Sequence, residues 1–102
     1  MNQPPQPTHA TLATFRMDLS REAEQQRILE DVIVPWVMKA PGFVNGHWTV
    51  DREAGESTVL VTFESAVDAK NFATGVEANA PTQARAGLEL RSIRIVEVVA
   101  RA

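Results

Sequence analysis

The 102-residue chain is predicted to adopt an α+β fold of the ferredoxin-like kind. This is a split β-α-β-β-α-β arrangement whose four-stranded antiparallel sheet carries two helices on one face. Three observations predict it. An amphipathic stripe runs from about residue 20 to residue 40; two apolar strand-like runs flank the polar turn Glu53-Ala54-Gly55-Glu56; and a second stripe begins at Ser65 and leads into a long apolar run at the end of the chain. Right-handed crossovers then place both helices on the same side of the sheet.

Thr8 to Met17 is rich in Thr, Ala, Leu and Phe with partial alternation, and reads as the first strand. Ser20 is the expected N-cap of the first helix, with Glu22 and Glu24 placed where carboxylates favour the positive end of the helix dipole. Leu29, Val32, Ile33, Trp36, Val37 and Ala40 follow the spacing of a buried helical stripe. Pro35 removes the hydrogen bond to the Asp31 carbonyl, so a kink or a change of direction is expected near it, and Gly42 closes the element.

Phe43 to Arg52 and Val59 to Glu64 read as an antiparallel hairpin. Ser65-Ala66-Val67-Asp68 has the form of a capping box, followed by the apolar stripe Ala69, Phe72, Ala73 and Val76. Glu77 to Gly87, which contains Pro81, is expected to be an irregular connection or one helical turn begun by Asn79, and Leu88 to about Ala100 the last strand. Residues 1–7, with three prolines, are expected to form a flexible tail ahead of a single domain over residues 8–102.

Acids and bases are interspersed at a formal charge of -3, which leaves no electrostatic footprint for nucleic acid. No stretch approaches the ~18 apolar residues of a membrane span. The sequence has no cysteine, hence no disulfide and no thiolate ligand or nucleophile, and a cytoplasmic location is expected. It shows no phosphate-cradling glycine loop and no metal-ligand spacing, so no metal is expected. The sheet face away from the helices also carries apolar residues, Leu60, Val96 and Val98, and is expected to be covered by a second copy in a homodimer.

The helix ending into Pro41-Gly42-Phe43, the following Gly46-His47-Trp48, the hairpin into Val59-Leu60-Val61-Thr62-Phe63-Glu64-Ser65, and Ala69 and Phe72 on the second helix carry a resemblance. Over residues 8 to 100 the chain resembles the dimeric α+β barrel superfamily, within it the antibiotic biosynthesis monooxygenase-like domains. That resemblance implies a cofactor-independent monooxygenase acting on a small aromatic or quinol-type metabolite, in a pocket between sheet and helices. Haem-degrading members ligate iron through a histidine on the second helix; Ala66 to Val76 contains none, so no cofactor is expected. Members acting on polyphenols use tyrosine beside tryptophan and histidine, and this chain has no tyrosine.

His47 is the candidate acid–base residue, because an imidazole near its ordinary pKa of ~6.5 can deprotonate a phenol or enol. Trp36, Asn45, Trp48, Asn71 and Phe72 are the candidate substrate-binding residues. His47 and Trp48 are adjacent on one strand and must point to opposite faces, so only one of them can face the helices. The alternative is a non-catalytic dimeric module that binds a small apolar ligand or a protein partner, with the tryptophans serving as packing.

Overall fold

The computed structural model describes residues 5–102. The strands are β1 (His9–Met17), β2 (Phe43–Asp51), β3 (Glu56–Phe63) and β4 (Leu88–Glu97), paired antiparallel in the order β2-β3-β1-β4. The first crossover runs through α1 (Glu22–Ile28) and α2 (Val34–Met38), and the second is α3 (Ala66–Arg85). This is the expected split arrangement. Residues 1–4 of the expected tail lie outside the described residues, and residues 5–7 hold no regular secondary structure.

Strand alternation sorts the sheet into two faces. Ala13 and Phe15 of β1, Val59, Val61 and Phe63 of β3, and Val37, Ala69, Phe72 and Val76 of the helices form one core, with Trp48 and β4's Ile93 and Ile95 packed on it. Phe63 is fully enclosed and stacks on Phe72 at 5.2 Å between ring centroids. Thr11 also points inward; its hydroxyl donates to the Ala69 carbonyl at 2.8 Å, so a polar group is buried without loss of its hydrogen bond.

The first crossover departs from expectation at its start. Asp18, not Ser20, caps it: the Asp18 carboxylate accepts from the Ser20 N–H at 3.1 Å and from the Ser20 hydroxyl at 2.6 Å, opening a 3-10 turn over Leu19–Arg21. These bonds hold the Asp18 carboxyl below the usual carboxylate range. Around Pro35 the helix does not break. It widens to a π-helical stretch over Leu29–Ile33, in which the Val34 N–H reaches back five residues to the Leu29 carbonyl. The extra residue in that turn rotates the apolar stripe, so Val32 comes out 61% exposed while Val37 is only 1% exposed.

The end of the second crossover also differs. The irregular segment expected over Glu77 to Gly87 is instead helical to Arg85, with Pro81 inside. The first crossover holds that helix end in place. Arg21 Nη1 donates to the Arg85 carbonyl at 2.6 Å and Gln25 Nε2 to the Ala86 carbonyl at 3.0 Å, satisfying carbonyls that a helix C-terminus leaves orphaned. The start of α3 is as expected: Ser65 accepts from the Asp68 N–H at 3.1 Å and donates to its carboxylate at 2.8 Å. Gly42, expected to end the first crossover, has φ +76 and lies so near Asp68 that any Cβ would collide with its carboxylate.

Candidate functional site

A cavity of about 210 Å³ lies between the helices and the inner face of the sheet. It falls between the ~150 Å³ of an apolar cavity that admits benzene and the ~300 Å³ at which ordinary ligand pockets begin. Its size therefore suits one or two aromatic rings.

Two indoles form much of the wall, and each rests on a glycine. Trp48, delivered inward by β2, folds over Gly46, where a Cβ would come within 3.0 Å of the ring. Trp36, from α2, lies against Gly75 of α3, where a Cβ would come within 3.3 Å. Trp36 also packs on Phe72 at 5.4 Å, so Trp36, Phe72 and Phe63 make a continuous aromatic stack running from surface to core. At 42% exposure Trp36 is the surface end of that stack.

The rim toward α1 is charged. Arg52 at the end of β2 donates to Glu22 on α1 at 2.8 Å, and this ion pair raises the Arg52 pKa further above its usual value. Among the described residues lining the cavity, Glu22 and Arg52 are the only ionisable ones, and each is engaged by the other. The remaining polar residues are hydroxyls and amides: Thr11, bonded to α3; Thr49; Ser57, whose hydroxyl donates to the Thr49 carbonyl at 2.8 Å; and glutamines 25, 26 and 83.

The six candidate residues separate into two sets. Trp36, Trp48 and Phe72 line the cavity together. His47 and Asn45 do not. His47 pairs with Leu60 and Asn45 with Thr62, so both lie on the helix-free face, where Asn45 Oδ1 accepts from the Thr62 hydroxyl at 2.7 Å. Asn71 is exposed on α3 and does not line the cavity. An acid–base role for His47 inside this cavity therefore has no geometric basis: β2 presents Trp48 to the cavity and the imidazole to the opposite side.

Gln25, Gln83 and Gly75 were not singled out by the sequence reading. Gln25 carried a signal, since it precedes Leu29 and Ile33 at four-residue intervals and so interrupts an apolar stripe with an amide.

The open face is organised in rows. His47, Leu60, Leu12 and Arg94 lie side by side across the four strands, as do Asn45, Thr62, Ala10 and Val96, and Thr49, Thr58, Thr14 and Ser92. The apolar part is narrow, centred on Leu12, Leu60 and Val96, and bordered by hydroxyls such as Thr14 and Ser92, 2.6 Å apart.

Among the described residues no cluster of side chains is arranged to hold a metal ion, and no helix is long and apolar enough to cross a membrane. No protein-family profile matches the chain, and no curated protein matches it significantly. In structure the chain is similar to a monooxygenase from the gene ActVA-Orf6 of Streptomyces coelicolor, solved in complex with the ligand Nanaomycin D. The TM-score is 0.62 at 15% sequence identity, over 94% of this chain and 89% of that one. The two share a fold, an antiparallel four-stranded sheet with its helices on one face.

Proposed function

We propose that this chain is a homodimeric monooxygenase-like protein that takes a small phenol- or quinol-type aromatic into the cavity between sheet and helices and oxidises it with dioxygen, without a cofactor. The observation that carries the reading is the pair of glycine-seated indoles facing one apolar cavity of about 210 Å³. Flat aromatic walls favour a flat aromatic guest. The fold neighbour was solved in complex with a small-molecule ligand, which supports a small molecule as the guest of a chain with this fold.

The chemistry balances without an external reductant. A phenol such as 1-naphthol plus one dioxygen gives the para-quinone plus water: one oxygen atom enters the ring, the other leaves as water, and the ring supplies all four electrons. In this scheme the residues bind and orient the ring and exclude water. Trp36, Trp48 and Phe72 supply the walls, and the Glu22–Arg52 pair guards the rim.

Homodimerisation is part of the proposal. The row Leu12, Leu60 and Val96 is the apolar strip of the open face, and a second copy of the same face covers it while keeping Arg94 and His47 at the ends of their row, near solvent. The lack of cysteine suits a reducing compartment such as the cytoplasm.

A second reading, a binding module without catalysis, is favoured by one specific observation: the cavity presents no uncommitted base, because Glu22 is held by Arg52. Oxygen uptake with 1-naphthol separates the two. Uptake matched one-to-one by 1,4-naphthoquinone, and lost in Trp36→Ala, supports the oxygenase; quenching of tryptophan fluorescence by the naphthol without oxygen uptake assigns the module.

A further inference from the structure

The cavity contains two hydrogen-bond acceptors that the protein leaves unused. Gln25 is only 4% exposed, and its side-chain amide is fixed in orientation because Nε2 donates to two carbonyls, those of Asp18 and Ala86, each at 3.0 Å. Both partners are acceptors, so the nitrogen must face them and Oε1 must face away from them. That oxygen is buried with no partner among the described residues. Gln83 Oε1 is buried without a partner as well. Both residues line the cavity, and they are neighbours: Gln25 is bonded to Ala86, whose own N–H donates to the Gln83 carbonyl at 3.0 Å.

A buried carbonyl oxygen left without a donor carries an uncompensated desolvation penalty, which is why such groups are uncommon away from sites that something else completes. Resting on the ligand-binding reading above, we infer that Gln25 and Gln83 form the recognition end of the cavity. Their oxygens accept the hydroxyl of the bound ring and so select hydroxylated, reduced aromatics over deoxy analogues and over quinones.

The chemistry is one-sided. A phenol or hydroquinone brings an O–H donor to two acceptors; a quinone brings only carbonyl oxygens and meets the fixed Gln25 Oε1 lone pair to lone pair, so that only the Gln83 amide, by turning its Nε2 inward, could bond it. Oxidation of the hydroxyl-bearing carbon to a ketone thus removes the bond that held the substrate and favours release of the product. The geometry also sets the length of the guest. Gln83 lies eight residues beyond Gly75, on which Trp36 rests, and at 1.5 Å per residue this is ~12 Å along α3. A two-ring hydroxyaromatic spans from the indole to the amides more fully than a single ring.

The test uses the chain's two tryptophans, both on the cavity wall, as fluorescence reporters of binding. The purified protein is titrated with 2-naphthol, naphthalene and 1,4-naphthoquinone, the last followed by equilibrium dialysis because it quenches non-specifically. The expected result is at least tenfold tighter binding of 2-naphthol than of either other compound, with the preference reduced to threefold or less in Gln83→Leu and in Gln25→Met. Gln83→Leu carries the test if Gln25→Met fails to fold, because no hydrogen bond of the Gln83 side chain supports the structure whereas those of Gln25 join α1 to the end of α3. Equal binding of naphthol and naphthalene, or a preference that survives Gln83→Leu, overturns the inference while leaving the cavity as an aromatic site. No saturable binding of any of the three overturns both.

Discussion

The two faces of the sheet are built from the same four strands, yet one encloses a cavity and the other is a flat lattice of hydroxyls around three apolar side chains. Strand β2 shows the contrast within two residues: Trp48 goes in, to lie on Gly46, and His47 goes out, to sit beside Leu60. On the closed face the helices add side chains from a second direction, so rings stack and a void is left between them. On the open face polar groups pair within the sheet, as Asn45 does with Thr62 and Thr14 with Ser92. The closed face therefore has the shape to hold a ligand, and the open face the flatness to meet another flat surface.

The largest expected effect breaks the closed face. Phe63→Ala removes a fully enclosed ring from the aromatic stack and is expected to cost ~3–5 kcal/mol in urea denaturation. The half-buried open-face residue opposite Leu12 behaves differently: Leu60→Lys is expected to turn a dimeric mass into a monomeric one by light scattering at micromolar concentration while leaving 2-naphthol binding within twofold of wild type. If Leu60→Lys abolished ligand binding, the division of labour between the faces would be wrong.

Gly46→Ala is smaller and sharper. The new methyl comes within 3.0 Å of the Trp48 ring and is expected to cost ~1–3 kcal/mol by overpacking, with a shift in tryptophan emission as the indole moves into the cavity. The smallest effect concerns Asp18, whose backbone carbonyl holds Gln25 on the closed face. Hydrogen bonds from Ser20 lower its carboxyl pKa, so its contribution is present above the ordinary carboxylate range and is lost as pH falls through the lowered value. Asp18→Ala is expected to give a slightly flatter acid limb in a plot of denaturation midpoint against pH.

The order of elements was legible because each period is local: 3.6 along the helices, 2 along the strands, with Ser65 and Gly42 as punctuation. The effect of the two prolines could not be read locally, for one reason. Pro35 and Pro81 each remove a single hydrogen bond, but the first is absorbed by a wide turn and the second by a helix whose end is held by Arg21 and Gln25, and both compensations depend on surroundings that no local window contains. The site was half legible for the same kind of reason. Alternation states that His47 and Trp48 oppose one another; which of them meets the helices depends on the register of β2 against β3. Gln25 was hidden in a different way, since a lone amide in an apolar stripe reads equally as a flank residue until the carbonyls of Asp18 and Ala86 are seen around it.

The most direct measurement is a crystal structure of the protein grown with 2-naphthol. The account predicts naphthol density between the sheet and the helices, flanked by Trp36 and Trp48, with His47 on the opposite face near a two-fold contact between copies. Naphthol density beside His47 on the open face, or a cavity closed by the two indoles in a structure with naphthol bound elsewhere, would contradict it.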